Sequence, residues 1–230
     1  MARTDRYHGP DDLPRKVPLF PLRGAILLPR ATLPLNVFEP RYLQMVDDVM
    51  SGERLIGIIQ PDEPVEPADT VIESPKGNDS PLKSIGCAGR VTGYQELDDG
   101  RLMVTLTGIA RFRLVSDQLT GRPYRTAEVD WGQFSGDFSA GLGEESVDRA
   151  ALLRVLRRYL DAKRLEAEWP IIEKSSSEFL VNALAVMSPY GAAEKQALLE
   201  APSLKVRAEV LVALAEMEMA SGSTGGGMIQ

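Results

Sequence analysis

The apolar residues of this chain change their spacing near residue 140, and that change limits the fold more than any other feature. Before it they come in short runs broken by Gly, Pro and Asp. After it they recur at three and four, the period of a helix with one buried face. A chain built this way has a strand-rich part followed by a helical part, an α+β architecture. Ser84–Leu97, Arg101–Thr107, Ala110–Ser116 and Tyr124–Trp131 read as strands. Asp98-Asp99-Gly100 joins two of them as a tight turn, because Gly accepts positive φ and Asp tolerates it. Leu102, Val104 and Leu106 alternate with Met103 and Thr105, which suits an antiparallel, barrel-like sheet.

Two features interrupt this first part. Val17–Leu35 carries Pro18, Pro21, Pro29 and Pro34, so it is expected extended, with short edge pieces of strand. Pro40–Met50 then reads as one amphipathic helix, with Pro40 in its first turn and Gly52 as its stop. Leu55–Gln60 is a short buried strand. Pro61–Lys83 holds five prolines and six acidic residues in 23 positions and reads as a mobile loop or a functional arm.

In the second part, residues 134–145 contain Gly136, Gly141 and Gly143 and read as a linker. Four helices are expected: about Ser146 to Lys163, from near Ser177 to before Pro189, Ala193–Leu199, and from Ser203 as N-cap to about Met219. The division is then a flexible start (1–16), a β-rich part (17–133), the linker (134–145), a helical part (146–220) and a flexible tail (221–230).

Composition narrows the chemistry. The net charge of −7 disfavours phosphate backbones and anionic membranes. Met1–Lys16 does not resemble a signal peptide, and no run reaches membrane-span length. With a single cysteine, Cys87, the chain has no internal disulfide, and a reducing bacterial cytoplasm is the expected setting. Cys87 lies between Gly86 and Ala88 in a strand and reads as buried and structural. The single histidine, His8, sits in the polar start, so Ser-His-Asp and Cys-His sites lack a placed base.

No phosphate loop, nucleophile elbow or HExxH motif is present. Lys83-Ser84 are strand neighbours that point to opposite faces. Asp47-Asp48, Asp98-Asp99 and Glu144-Glu145 each have a structural role available, on a helix surface, in a turn and at a helix N-terminus. Arg154, Arg157, Arg158 and Arg164 line one side of the first long helix. Without interleaved aromatics, and with Asp148 and Asp161 nearby, they read as a solvated face. Neither a catalytic group, a cofactor nor a metal is expected.

One set of segments is specific. Val17-Pro18-Leu19-Phe20-Pro21-Leu22 and Leu33-Pro34-Leu35-Asn36-Val37-Phe38-Glu39-Pro40-Arg41-Tyr42 closely resemble the opening of the N-terminal, substrate-binding domain of Lon-type ATP-dependent proteases. The resemblance continues in Leu55-Ile56-Gly57-Ile58, Gly86–Val91, Thr107–Arg113, Leu180–Leu184 and Ala193–Glu200. It implies a PUA-like pseudobarrel with one helix, followed by a helical bundle, in agreement with the change near residue 140. It also implies that the chain ends before the ATPase and Ser-Lys protease modules, as a stand-alone, non-catalytic module for unfolded or flexible polypeptide segments, with room for a weak homodimer.

Phe38, Glu39, Arg41, Tyr42, Arg90 and Arg111 are the candidate polypeptide contacts or family-motif residues. Within the motif, Pro40 would start the helix, Phe38 and Tyr42 would anchor it on the barrel, and Glu39 and Arg41 would pair. Three alternatives stand beside this reading: an RNA-binding PUA-like module, a structural subunit of a larger complex, and a hydrolase with an unconventional site.

Overall fold

The computed structural model describes residues 6–62 and 79–224, with side chains to residue 221. Most of the acidic Pro61–Lys83 segment and the last residues of the expected tail lie outside that range.

Six strands form one sheet: β1 (Lys16–Pro21), β2 (Thr32–Val37), β3 (Leu55–Pro61), β4 (Leu82–Glu96), β5 (Leu102–Leu119) and β6 (Arg125–Asp130). Their order is β2-β5-β4-β3-β1-β6, and a further β5–β6 pairing closes five of them into a ring, with β2 appended beside β5. The pairings are antiparallel except β1–β3, which is parallel and is spanned by a crossover through β2 and helix α1 (Pro40–Met50).

The prolines fit because each meets a neighbour on one side only. Lys16, Val17 and Pro18 pair with β6, whereas Leu19, Phe20 and Pro21 pair with β3. Pro34 lies in β2, at the sheet edge, opposite Thr105.

Arg101–Thr107 and Ala110–Ser116, expected as separate strands, are one continuous strand. Gly108 between them is not a turn residue. A Cβ there would stand 2.0 Å from the carbonyl oxygen of Leu28. The buried loop of residues 22–31 crosses β5 at this point, with Arg30 N–H donating to Gly108 O and Gly108 N–H to Ala31 O, both at 2.9 Å.

Two cores result. Val17, Leu19, Ile59, Ala88, Phe112 and Ala127 come from the five ring strands and fill the barrel. Phe20, Ile58, Ile85, Leu106 and the buried face of α1 pack outward, in one cluster with Leu152, Val181, Leu198 and Leu211 of the helical part. Barrel and helices therefore share a core and are not joined by a tether.

Two expectations are corrected here. The start of the chain is packed from Tyr7 onward: Tyr7 and Leu13 are buried in the barrel cluster, and Trp131 donates to Pro14 O at 3.2 Å. Its polar composition concealed two apolar plugs. The linker is equally ordered, with 3-10 turns at Gly132–Phe138 and Glu144–Ser146 and with Phe134 and Asp137 buried. Gly141 and Gly143 supply left-handed turns at φ 74° and 82°, which is why glycine stands there.

The helical part has five α-helices among the described residues: α2 (Arg149–Lys163), α3 (Trp169–Lys174), α4 (Ser177–Met187), α5 (Ala192–Glu200) and α6 (Leu204–Thr224). Helix α3 was not expected, because six residues are too few to show a period. Helix α6 continues into the segment read as tail. Asp148, Ser176 and Ser203 cap α2, α4 and α6 by accepting from the amides of Ala151, Phe179 and Val206. No described helix is long and apolar enough to cross a membrane.

Candidate binding groove

Helices α2, α4 and α6 leave an apolar groove of about 440 Å³ between them. Leu152, Val155, Leu156 and Tyr159 reach it from α2 at helical spacing, and Leu211 and Ala215 face them from α6. Met187 ends α4, and Pro189 prevents the helix from continuing, so the turn to α5 presents Met187 and Tyr190 at the groove wall. Met187 is 77% exposed, and Leu165, also lining the groove, is 56% exposed. Burial pushes the Tyr190 hydroxyl up to about 12, and burial with the Glu218 carboxylate also raises Tyr159, so both rings are neutral lining at physiological pH.

The same turn faces the barrel. Met187, Ser188, Pro189 and Tyr190 also line a cleft of about 350 Å³ against Thr32, Leu33 and Pro34 of β2. The apolar surface thus runs from the helices to the free edge of the sheet. Lys195 lies in this cleft, 4% exposed, donating to Val186 O at 2.5 Å. Its burial lowers the ammonium to about 8.

The other face of the helical part, where it meets the barrel, sets a buried polar network beside the shared apolar core. Arg111 binds Asp137 bidentately, Nε to Oδ2 at 2.9 Å and Nη2 to Oδ1 at 2.8 Å. Its Nη1 donates to Leu199 O and Ala201 O at the end of α5. Arg30 pairs with Glu178, whose other oxygen accepts from Gly141 N–H at 2.8 Å. Gln60 donates to Ala192 O and Gln196 Oε1, and Asn182 to Pro29 O. These side chains satisfy buried backbone groups where a loop, a strand end and helix ends meet.

The residues singled out from sequence are dispersed. Tyr42 is 2% exposed against Phe20, with ring centroids 4.1 Å apart, and anchors α1 as expected. Phe38 does not anchor it: at 63% exposure it stands in solvent at the β2–α1 corner. Glu39 and Arg41 do pair, Nε to Oε2 at 2.9 Å. Arg90 donates to Glu53 O and the Tyr7 hydroxyl, holding the chain's start on the barrel. Arg111 is enclosed in the junction. None of the six lines the groove.

The groove was missed because its walls come from three helices separated in sequence. The available signal was Met187 directly before Ser188-Pro189, an apolar residue at a helix end where polar caps are usual. The arginine face of α2 is partly engaged: Arg157 stacks on the Trp169 ring at 4.1 Å and pairs with Glu173 at 3.7 Å.

The remaining polar candidates have structural partners. Asp48 receives hydrogen bonds from Arg122 and the Tyr124 hydroxyl, Asp99 from Arg101, and Glu144 from Glu178 N–H. Cys87 is fully buried, and burial pushes its thiol up, away from the reactive thiolate. Among the described residues, no group of three His, Cys, Asp or Glu side chains gathers as metal ligands would.

Residues 16–216 match the family described as the ATP-dependent protease La (LON) substrate-binding domain. Lon protease from Flavobacterium johnsoniae is 26% identical over 204 residues, spanning 86% of this chain and 23% of that protein. The chain spans about a quarter of the length of the first curated relatives it matches. Among solved structures, the N-terminal domain of Mycobacterium avium complex Lon protease superposes with a TM-score of 0.60 at 18% identity, covering 87% of this chain and 98% of that one. A Lon N-terminal domain protein from Xanthomonas campestris gives 0.57 at 22%, covering 86% and 97%.

Proposed function

The chain belongs to the ATP-dependent protease La (LON) substrate-binding domain family, and from that premise we propose that it is a non-catalytic module that binds apolar segments of unfolded or flexible polypeptides in the α2–α4–α6 groove. The observation that carries this reading is the groove's exposed rim. A large apolar side chain such as Met187, left 77% in water beside an apolar trough, marks an interaction surface more than a folding defect. Methionine is suited to it, because an unbranched, polarizable side chain adapts to varied partners. A segment leaving the groove past Pro189 meets the edge of β2, where the backbone can accept a paired strand.

The test is fluorescence anisotropy with labelled peptides of about 15 residues, one rich in Leu and Phe and one with those positions changed to Ser. The apolar peptide is expected to bind and the serine version not to. Met187→Glu should weaken binding at least about tenfold, equivalent to about 1.4 kcal/mol, while thermal unfolding stays within about 0.5 kcal/mol of the parent. Equal binding of the two peptides, or full affinity in Met187→Glu, would remove the groove from the account.

A further inference from the structure

The junction between barrel and helices holds a further, half-open cavity, of about 360 Å³ and opposite in character to the groove. Its buried charges are the guanidiniums of Arg111 and Arg207 and the carboxylates of Asp137 and Glu178, with the half-buried guanidinium of Arg30 beside them. Both carboxylates are already engaged, Asp137 by Arg111 and Glu178 by Arg30 and Gly141 N–H. Glu200, at the cavity's edge, is exposed and receives Gln196. Among the described residues, Arg207 therefore has no carboxylate of its own.

Arg207 is 4% exposed. Its Nε donates to Leu198 O at 2.8 Å and its Nη1 to Asn182 Oδ1 at 3.0 Å. Its Nη2 is buried with no hydrogen-bond partner among the described residues, and so is Nε of Arg30. Burial lowers the Arg207 guanidinium to about 10, and the neighbouring Arg111 charge acts in the same direction. An enclosed cation with free donors is costly unless something negative meets it. The first turn of α6 borders the same cavity through Ser203 and Leu204. That helix has 21 residues, and its N-terminal amides and dipole add positive potential there.

We infer that this junction cavity binds a phosphate-class oxyanion, held by Arg207, Arg30 and the N-terminal turn of α6. Guanidinium groups converging with a helix N-terminus suit a tetrahedral anion with several acceptor oxygens better than a planar carboxylate. The volume also accommodates a substituent on the phosphate. Because the ligand would touch the barrel loop through Arg30 and α6 through Arg207, it would tie the two parts together. The site is separate from the groove and stands whether or not the groove binds polypeptide.

The experiment compares thermal unfolding of the whole chain in inorganic phosphate, acetate and chloride at equal ionic strength. Phosphate should give a rise in Tm that grows with the logarithm of its concentration above the Kd, about 3–5 °C at ten times the Kd for a chain of this size, with acetate and chloride flat. Arg207→Met should abolish the difference. Since that variant could fail to fold, phosphate binding to the parent protein is also followed by ³¹P line broadening. A parent protein with neither a phosphate-specific shift nor broadening overturns the inference. So does an equal rise in acetate, or an undiminished rise in a folded Arg207→Met variant.

Discussion

The two faces of the helical part differ in where they place charge and where they place exposed apolar surface. Toward the barrel, beside the shared apolar cluster, arginines, carboxylates and amides are enclosed and hydrogen-bonded. Toward solvent, where charge would be ordinary, α2, α4 and α6 hold an open apolar trough. Buried ion pairs are weak contributors to net stability, because desolvation offsets their attraction, but they tolerate only one geometry. Here that geometry sets how the helices sit on the barrel. Exposed apolar surface is the opposite case, tolerant of geometry and poor in specificity. The inner face therefore defines a shape, and the outer face offers an adaptable surface on that shape.

The strongest way to break this contrast is Asp137→Ala. It would leave Arg111 buried with its bidentate partner gone, and urea unfolding should show a loss of about 3–5 kcal/mol. A loss below about 1 kcal/mol would mean that the shared apolar cluster alone docks the two parts. Met187→Glu, tested on the outer face, should behave in reverse, with affinity lost and stability kept.

Lys195 lies where the two faces approach each other, beneath the turn that serves both the groove and the cleft at β2. Its folded pKa of about 8 is below the ordinary 10.5, so between those values the unfolded chain binds more protons and stability rises with pH. Followed from pH 7 to 9, below the tyrosine range, the parent should gain about 1–2 kcal/mol. Lys195→Met should flatten that rise. An unchanged slope would mean that the ammonium is solvated and that the cleft is wetter than its lining suggests.

The sequence disclosed what local periodicity controls. Helix α1 was legible because Pro40 and the spacing of Tyr42, Met45, Val46 and Val49 act within one element. The division into barrel and helices was legible for the same reason, and the family segments agreed with it. What stayed hidden depends on distant parts meeting. Gly108 looks like a break between strands, and only the passage of Leu28 over it explains the glycine. Arg111 looks like a surface cation in a strand until Asp137, 26 residues later, closes on it. The glycine-bearing stretch before α2 reads as slack, although its turns bring Asp137 and Gly141 into the junction. The groove has no motif at all, because no two of its walls are neighbours in sequence.

Phe38 provides the finest test, since the smallest effect is expected there. It belongs to the most recognisable segment of the chain, yet it lies on neither face, 63% exposed at the β2–α1 corner. Its motif neighbours have evident work: Tyr42 packs on Phe20, and Glu39 holds Arg41. Removing the ring removes little buried area, so Phe38→Ala should change stability by no more than about 0.5 kcal/mol. If recognition is confined to the helical groove, peptide affinity should also stay within about twofold of the parent. A tenfold loss would instead make the β2–α1 corner a second contact for the polypeptide, and the division into a shaping inner face and a recognising outer face would have to admit the barrel surface as well.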